Sequence, residues 1–290
     1  MHKKVRLFVI TAFLLCIIES SHAVVLQSKD EGYIAGKLKI ECEKREKIRK
    51  SYTWRISAGA PFAEYEKLVF NVMWKFITVG EASLELRGFE DIEGRKALHI
   101  YSYAKTKPFF DNFFKVRDTN ESWLDEESKT SLRYVSIISE GGWKKYEILY
   151  FNQPEKTFLL NDSGKMKKGE ITENVQDVLS ALYYMRTLDI EVGEKYVLDA
   201  HSGDLSWPLV IKVLRKEKVK VPLGEFDCFV LEPNIRENAG IMNAKGKMLV
   251  WVTADKKKMP VYLKVKIPIG SINAKLERIE IKNSPSDINS

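Results

Sequence analysis

From Phe62 onward the chain alternates apolar and polar residues with the period of two that a half-buried strand requires. Over residues 65–74, Leu68, Phe70, Val72 and Trp74 alternate with Lys67, Val69, Asn71 and Met73. Over residues 96–104, His99, Tyr101 and Tyr103 alternate with Leu98, Ile100 and Ser102. Similar runs span residues 82–89, 113–124, 132–139, 143–151, 157–160, 195–199, 209–216, 225–232, 247–253, 261–266 and 271–281. Short turns separate them, such as Asp91-Ile92-Glu93-Gly94, Gly141-Gly142 and Val221-Pro222-Leu223-Gly224. Runs at a spacing of about ten residues, split by such turns, predict consecutive antiparallel pairing. Roughly eleven strands are too many for one flat, strongly twisted sheet, so the sheet must curl or close.

One stretch breaks the alternation. Over residues 174–187, Val175, Val178, Leu179, Leu182 and Arg186 fall at helical spacing, with Met185 beside them. Asn174 is the expected N-cap. Asp177 in the first turn and Arg186 in the last suit the helix dipole. Ala181, Tyr183 and Tyr184 make the second half apolar nearly all round, so the helix needs cover on more than one side. The expected fold class is mainly β: a curved antiparallel sheet, or an open or closed β-barrel, of about eleven strands. It encloses or packs on one central α-helix at about 174–187.

The ends of the chain change the picture. Lys3, Lys4 and Arg6 precede a short apolar run, and Ser21-His22-Ala23 has the small residues of a cleavage site. Residues 1–23 therefore read as a secretory signal peptide cleaved after Ala23, too short for a membrane span. Residues 24–60 read as a charged leader, 61–282 as a single β-rich domain and 283–290 as a polar tail. Within the leader, 37–50 is rich in bases and reads either as a solvated arm or as one that touches anionic lipid. No later stretch is long and apolar enough to span a bilayer as a helix. The expected location is the periplasm, where nucleic acid is not an expected partner. The net charge of +7 for the whole chain favours anionic surfaces without naming one. Beyond the signal peptide stand Cys42 and Cys228. They could pair in an oxidising compartment, or Cys228 could be a small buried hydrophobe beside Phe226 and Val230.

Several strings occur together: Trp74 with Val79-Gly80, the run from Asp118 to Trp123, D-V-L-S-A-L-Y-Y-M-R at Asp177–Arg186, Leu223-Gly224-Glu225-Phe226, and Val250-Trp251-Val252-Thr253 followed by Asp255, Pro260-Val261 and Gly270-Ser271. This set resembles an exported bacterial family known only as a domain of unknown function, number 3108, over about residues 62–279. The resemblance implies an exported, β-rich envelope protein and carries no established activity.

Candidate chemistry is sparse. Beyond residue 23 the only histidines are His99 and His201, and no serine sits in a G-x-S-x-G elbow. Asp199 and His201 share a strand face but supply too few ligands for zinc, and the adjoining Ser202-Gly203-Asp204 reads as a polar turn. No phosphate-cradling glycine loop or dinucleotide fingerprint occurs. No catalytic set, metal site or cofactor is expected. Arg186 reads as a dipole partner, as a salt bridge to a strand carboxylate or as a ligand-gripping group. Phe109, Phe110, Phe113 and Phe114 form two pairs after Pro108, in an expected bend between strands. One member of each pair could pack inward while the other lies half covered. Alternatively the cluster forms a hydrophobic lip at a cavity mouth, or a loop that touches a membrane. Trp74, Tyr183, Tyr184 and Trp251 either line the same cavity or fill the core around the helix. Two functions stay open: a non-catalytic module binding a lipid-like envelope molecule, and a structural envelope component with a packed interior that binds another protein. A cavity beside the helix separates them.

Overall fold

The structure is a computed structural model that describes residues 65–234, 248–267 and 270–282. The expected signal peptide, leader and tail, and Cys42, lie outside the described residues. The strands in chain order are β1 (Tyr65–Trp74), β2 (Ile77–Ile92), β3 (Arg95–Thr106), β4 (Arg117–Asp125), β5 (Ser131–Glu140), β6 (Trp143–Asn152), β7 (Thr157–Asp162) and β8 (Lys165–Glu170). After a helical segment come β9 (Lys195–Ser202), β10 (Leu205–Val221), β11 (Gly224–Pro233), β12 (Met248–Thr253), β13 (Pro260–Ile267) and β14 (Gly270–Lys282). Two helices are described, α1 (Pro108–Asp111) and α2 (Val178–Thr187).

The fourteen strands form one antiparallel sheet in the order β8-β7-β6-β5-β4-β3-β2-β1-β14-β13-β12-β11-β10-β9. The chain meanders out from β1 to β8, then back from β9 to β14, which pairs with β1 from Tyr65↔Lys282 to Trp74↔Ile272. The edges of the sheet are thus β8 and β9, and the sheet is not closed. Val175 and Gln176 link the two halves at one end. Gln176 N–H donates to Asp199 O at 2.7 Å, and Gln176 O accepts from His201 N–H at 2.8 Å. On the other side Val175 O accepts from Ser131 N–H at 3.2 Å, and Gln176 Nε2 donates to Lys129 O at 2.6 Å.

The fourteen strands exceed the expected eleven, and number one more than the thirteen alternating runs enumerated along the chain. The polar run read as a linker contains β8, whose sequence Lys-Met-Lys-Lys-Gly-Glu shows no apolar alternation. Its place is set by the neighbour rather than by its own pattern: a Cβ on Gly169 would stand 2.6 Å from the Phe158 ring, so only glycine fits that register. The strand expected over 113–124 begins later, at Arg117, because Pro108 starts α1, where its missing N–H costs nothing.

Antiparallel order sorts the connections into two ends. The β1–β2, β3–β4, β5–β6 and β13–β14 connections collect at one end, called upper here. The β2–β3, β4–β5, β6–β7 and β12–β13 connections collect at the other. Backbone bonds tie upper loops together, with Lys75 N–H donating to Ser271 O, Lys107 N–H to Val79 O and Gly141 N–H to Lys115 O.

Candidate functional site

α2 lies at the lower end. Its N-cap is Asp177, not the expected Asn174, which adopts φ 57. Either residue type can cap; tertiary partners decide. Asp177 Oδ1 accepts from Leu179 N–H at 2.8 Å and Ser180 N–H at 3.0 Å. Its Oδ2 accepts from Ser122 Oγ of β4 at 2.6 Å and Ser131 Oγ of β5 at 2.5 Å. Asp177 is fully buried, and that burial raises its pKa against the pull of these four donors. At the other end Arg186 donates to both oxygens of Glu66 on β1, at 2.6 and 3.1 Å, and its Nε donates to Lys257 O at 3.0 Å. Arg186 and Glu66 are both buried, so the pair is a bidentate bond in a low-dielectric site. It realises the strand-carboxylate reading of Arg186.

The interior is divided by polarity. Facing Asp177 are buried Ser102, Asn120, Ser122, Tyr134 and Ser136, from β3, β4 and β5. Tyr134 Oη and Ser136 Oγ both donate to Asn120 Oδ1, at 2.7 and 2.8 Å. Burial, followed by the charges of Asp177 and Glu147, holds the Tyr134 hydroxyl well above its ordinary pKa. Across the interior, Val178, Ala181, Leu182 and Met185 form an i, i+3, i+4, i+7 stripe on α2. That stripe borders an apolar void of about 100 Å³, whose far wall is Leu209 and Ile211 of β10, Leu231 and Pro233 of β11, Met248 and Val250 of β12, and Leu263 of β13. Pro233 ends β11 and Met248 starts β12, so the void reaches from the helix toward the upper end. The void can take up apolar matter; the one polar side chain in its lining is Tyr262, whose hydroxyl donates to Asn273 Oδ1 at 2.6 Å.

None of the nine sequence-expected residues lines this void. Tyr183 is fully buried, with the Arg186 guanidinium 5.1 Å from its ring, and burial raises its hydroxyl pKa. Tyr184 is half-buried against the core. Trp251 stacks on Tyr262 at 4.3 Å and donates Nε1–H to Glu217 at 2.6 Å. Trp74 is half-buried at the end of β1, 5.7 Å from Lys75 Nζ. The phenylalanines split by pair: Phe110 and Phe114 pack against the core, while Phe109 and Phe113 point outward at 67% and 73% exposure. The residues that do line the void share the apolar alternation of every core strand, so no sequence signal distinguishes them.

Both described histidines are held by hydrogen bonds within the fold. His99 lies between Glu90 and Glu121, at 2.8 and 2.7 Å, stacked 4.7 Å from Trp123. His201 contacts Ser206 Oγ at 2.8 Å and Gly203 O at 2.9 Å, against the Phe151 and Phe158 rings. Burial lowers the His201 pKa to about 4. Ser202-Gly203-Asp204 is the β9–β10 turn, as its composition predicts. Burial pushes the Cys228 thiol up to about 12. Among the described residues no group of three or more His, Cys, Asp or Glu could hold a metal ion, and no helix is long and apolar enough to cross a membrane.

Comparison with known proteins agrees with this architecture. The model of a family described as protein of unknown function, DUF3108, matches residues 69–277, and the chain belongs to that family. No curated protein matches the chain. A β-barrel-like protein of the domain of unknown function DUF1849 from Brucella abortus is similar in fold. The match has a TM-score of 0.52 at 7% identity and covers 76% of this chain and 99% of that one. A hypothetical protein from Chlamydia trachomatis matches at a TM-score of 0.36 and 5% identity, over 78% of this chain and 90% of that one.

Proposed function

We propose that this member of the DUF3108 family is an exported, non-catalytic envelope protein that holds the apolar end of a lipid-like molecule between α2 and β10–β13. The observation that carries the reading is the apolar void bordered by the α2 stripe. Its volume of about 100 Å³ far exceeds the ~10–15 Å³ that one water needs, yet falls below the ~300 Å³ of an ordinary small-molecule site. It therefore suits the terminus of an acyl chain rather than a whole lipid. Apolar burial supplies the affinity, so no covalent chemistry is required. Export rests on the basic, apolar and small-residue order of residues 1–23.

The competing reading is a packed structural component that binds a protein through a strand edge. The edge strand β8 carries Lys165, Lys167 and Lys168, and such an edge resists strand addition. That observation favours the void.

The experiment is titration with a fluorescent fatty acid in detergent-free buffer. Saturable binding is expected, abolished by Ala181→Trp, which fills the void from the helix side. Binding unchanged by Ala181→Trp overturns the proposal. Native mass spectrometry of the purified protein is expected to show a co-purifying lipid mass that the same substitution removes.

A further inference from the structure

We propose that the upper end of the sheet, where the β1–β2, β3–β4 and β5–β6 connections meet, is a docking surface for an anionic lipid bilayer. Its observations are separate from the void below it. Three of the large hydrophobic side chains most open to solvent stand there: Phe76 at 81%, Phe113 at 73% and Phe109 at 67% exposure. Ile77 and Trp143 are exposed beside them. Such side chains scattered singly would need no explanation; gathered on adjoining loops at one end they mark a contact surface.

The loops are bonded to one another. Lys107 N–H donates to Val79 O at 3.0 Å, which joins the β3–β4 loop to the β1–β2 hairpin. Gly141 N–H donates to Lys115 O at 2.7 Å, which joins it to the β5–β6 turn. Phe110 and Phe114 are seated on the core, so Phe109 and Phe113 project from a fixed base, with their rings 5.6 Å apart. The outward direction is built in.

Charge selects the occupant. Residues 74–78, 107–116 and 141–144 contain Lys75, Lys107, Lys115 and Lys144, all exposed. Their one acidic side chain, Asp111, is paired with Arg117 at 2.6 Å, which holds its carboxyl below the ordinary range. The lower end is mixed in charge: Asp91, Glu93, Glu126, Glu127 and Glu155 of its turns stand among Lys96, Lys129, Lys156 and Lys256 to Lys258. The upper end, basic and aromatic, suits a negative surface. Exposed phenylalanines ringed by lysines match the boundary of a bilayer, where rings enter the acyl region and ammonium groups stay among the phosphates.

The test is co-sedimentation of the full chain with vesicles of phosphatidylcholine alone, or of phosphatidylcholine with an equal part of phosphatidylglycerol. Binding to the phosphatidylglycerol vesicles is expected. It should weaken at least about tenfold in Phe76→Ser/Phe109→Ser/Phe113→Ser, and also in Lys75→Gln/Lys107→Gln/Lys115→Gln/Lys144→Gln. A Phe113→Trp variant should gain emission that is quenched by brominated acyl chains in those vesicles. Because the lysine variants leave every apolar contact in place, they keep the test open if the serine variant folds poorly. Equal binding by all variants overturns the proposal, as does equal binding to both kinds of vesicle or Phe113→Trp emission that brominated lipid leaves unquenched. Fatty-acid titration without vesicles is expected to be unchanged by the loop variants, and vesicle binding by Ala181→Trp, so either proposal can fail alone.

Discussion

The two ends of the sheet solve opposite problems with similar residue types. At the lower end, charged and aromatic groups are drawn inside. Arg186 grips Glu66, Asp177 collects four donors, and Tyr183 is fully buried. At the upper end, phenylalanines and lysines are pushed out, while their partners Phe110 and Phe114 anchor the loop. Residue type does not assign role here; the end of the sheet does. A buried charge must be paired and is therefore a stability element. An exposed ring adds little to stability.

Glu66 carries the greatest expected cost. Glu66→Ala leaves the Arg186 guanidinium buried without its carboxylate, and is expected to destabilise by ~3–5 kcal/mol. Denaturant unfolding measures it; a loss below ~1 kcal/mol would mean the lower end is not held by this pair. Next in size is an acid dependence from His201. Its folded pKa of about 4 lies below the ordinary 6.5, so the unfolded chain takes up a proton first as pH falls. Stability from this group is therefore full above 6.5 and declines toward pH 4, by on the order of 3 kcal/mol. In His201→Gln that decline should flatten, as thermal melts across this window would show. Asp177→Ala removes the cap of α2 and strands the Ser122 and Ser131 hydroxyls, at a cost of ~1–2 kcal/mol. Asn174→Ala, by contrast, should cost only about 1 kcal/mol, from the left-handed φ of 57 that asparagine tolerates better than alanine and not from a lost cap. The smallest expected effect sharpens the contrast most. Phe109→Ser/Phe113→Ser should change unfolding free energy by no more than ~0.5 kcal/mol per site, against the large cost at Glu66. A larger loss would make the upper phenylalanines part of the core.

What could be read from the sequence follows the range of the interactions. Strands such as β3 and β12 were legible because half-burial writes a period of two into the chain. α2 was legible because Val178, Leu182 and Met185 fall on one stripe. β8 was not, because it is placed by its ladder with β7, from Thr157↔Glu170 to Asp162↔Lys165, with Phe158 over Gly169, and not by a pattern of its own. The pairing of β1 with β14 joins residues about two hundred positions apart, and nothing local encodes it. The cap shows the same limit on a small scale: Asn174 and Asp177 are equally good by type, and Ser122 and Ser131, distant in sequence, choose between them. At the candidate site, the Phe109–Phe114 cluster announced itself after Pro108, whereas Phe76 stands alone in a turn and acquires meaning only beside it. The void has no signature, since Leu209, Leu231 and Val250 look like any inward-facing strand residue.

The account rests on the void beside α2 taking up an apolar chain. The most direct measurement is methyl NMR of the isotope-labelled protein during titration with a fatty acid carrying a spin label at its methyl end. The prediction is selective broadening of Leu182, Met185, Leu209, Ile211, Leu231 and Met248, with Leu149 and Leu160 of the β6–β7 half unaffected. Broadening confined to surface methyls, or absent at saturating probe, would contradict it.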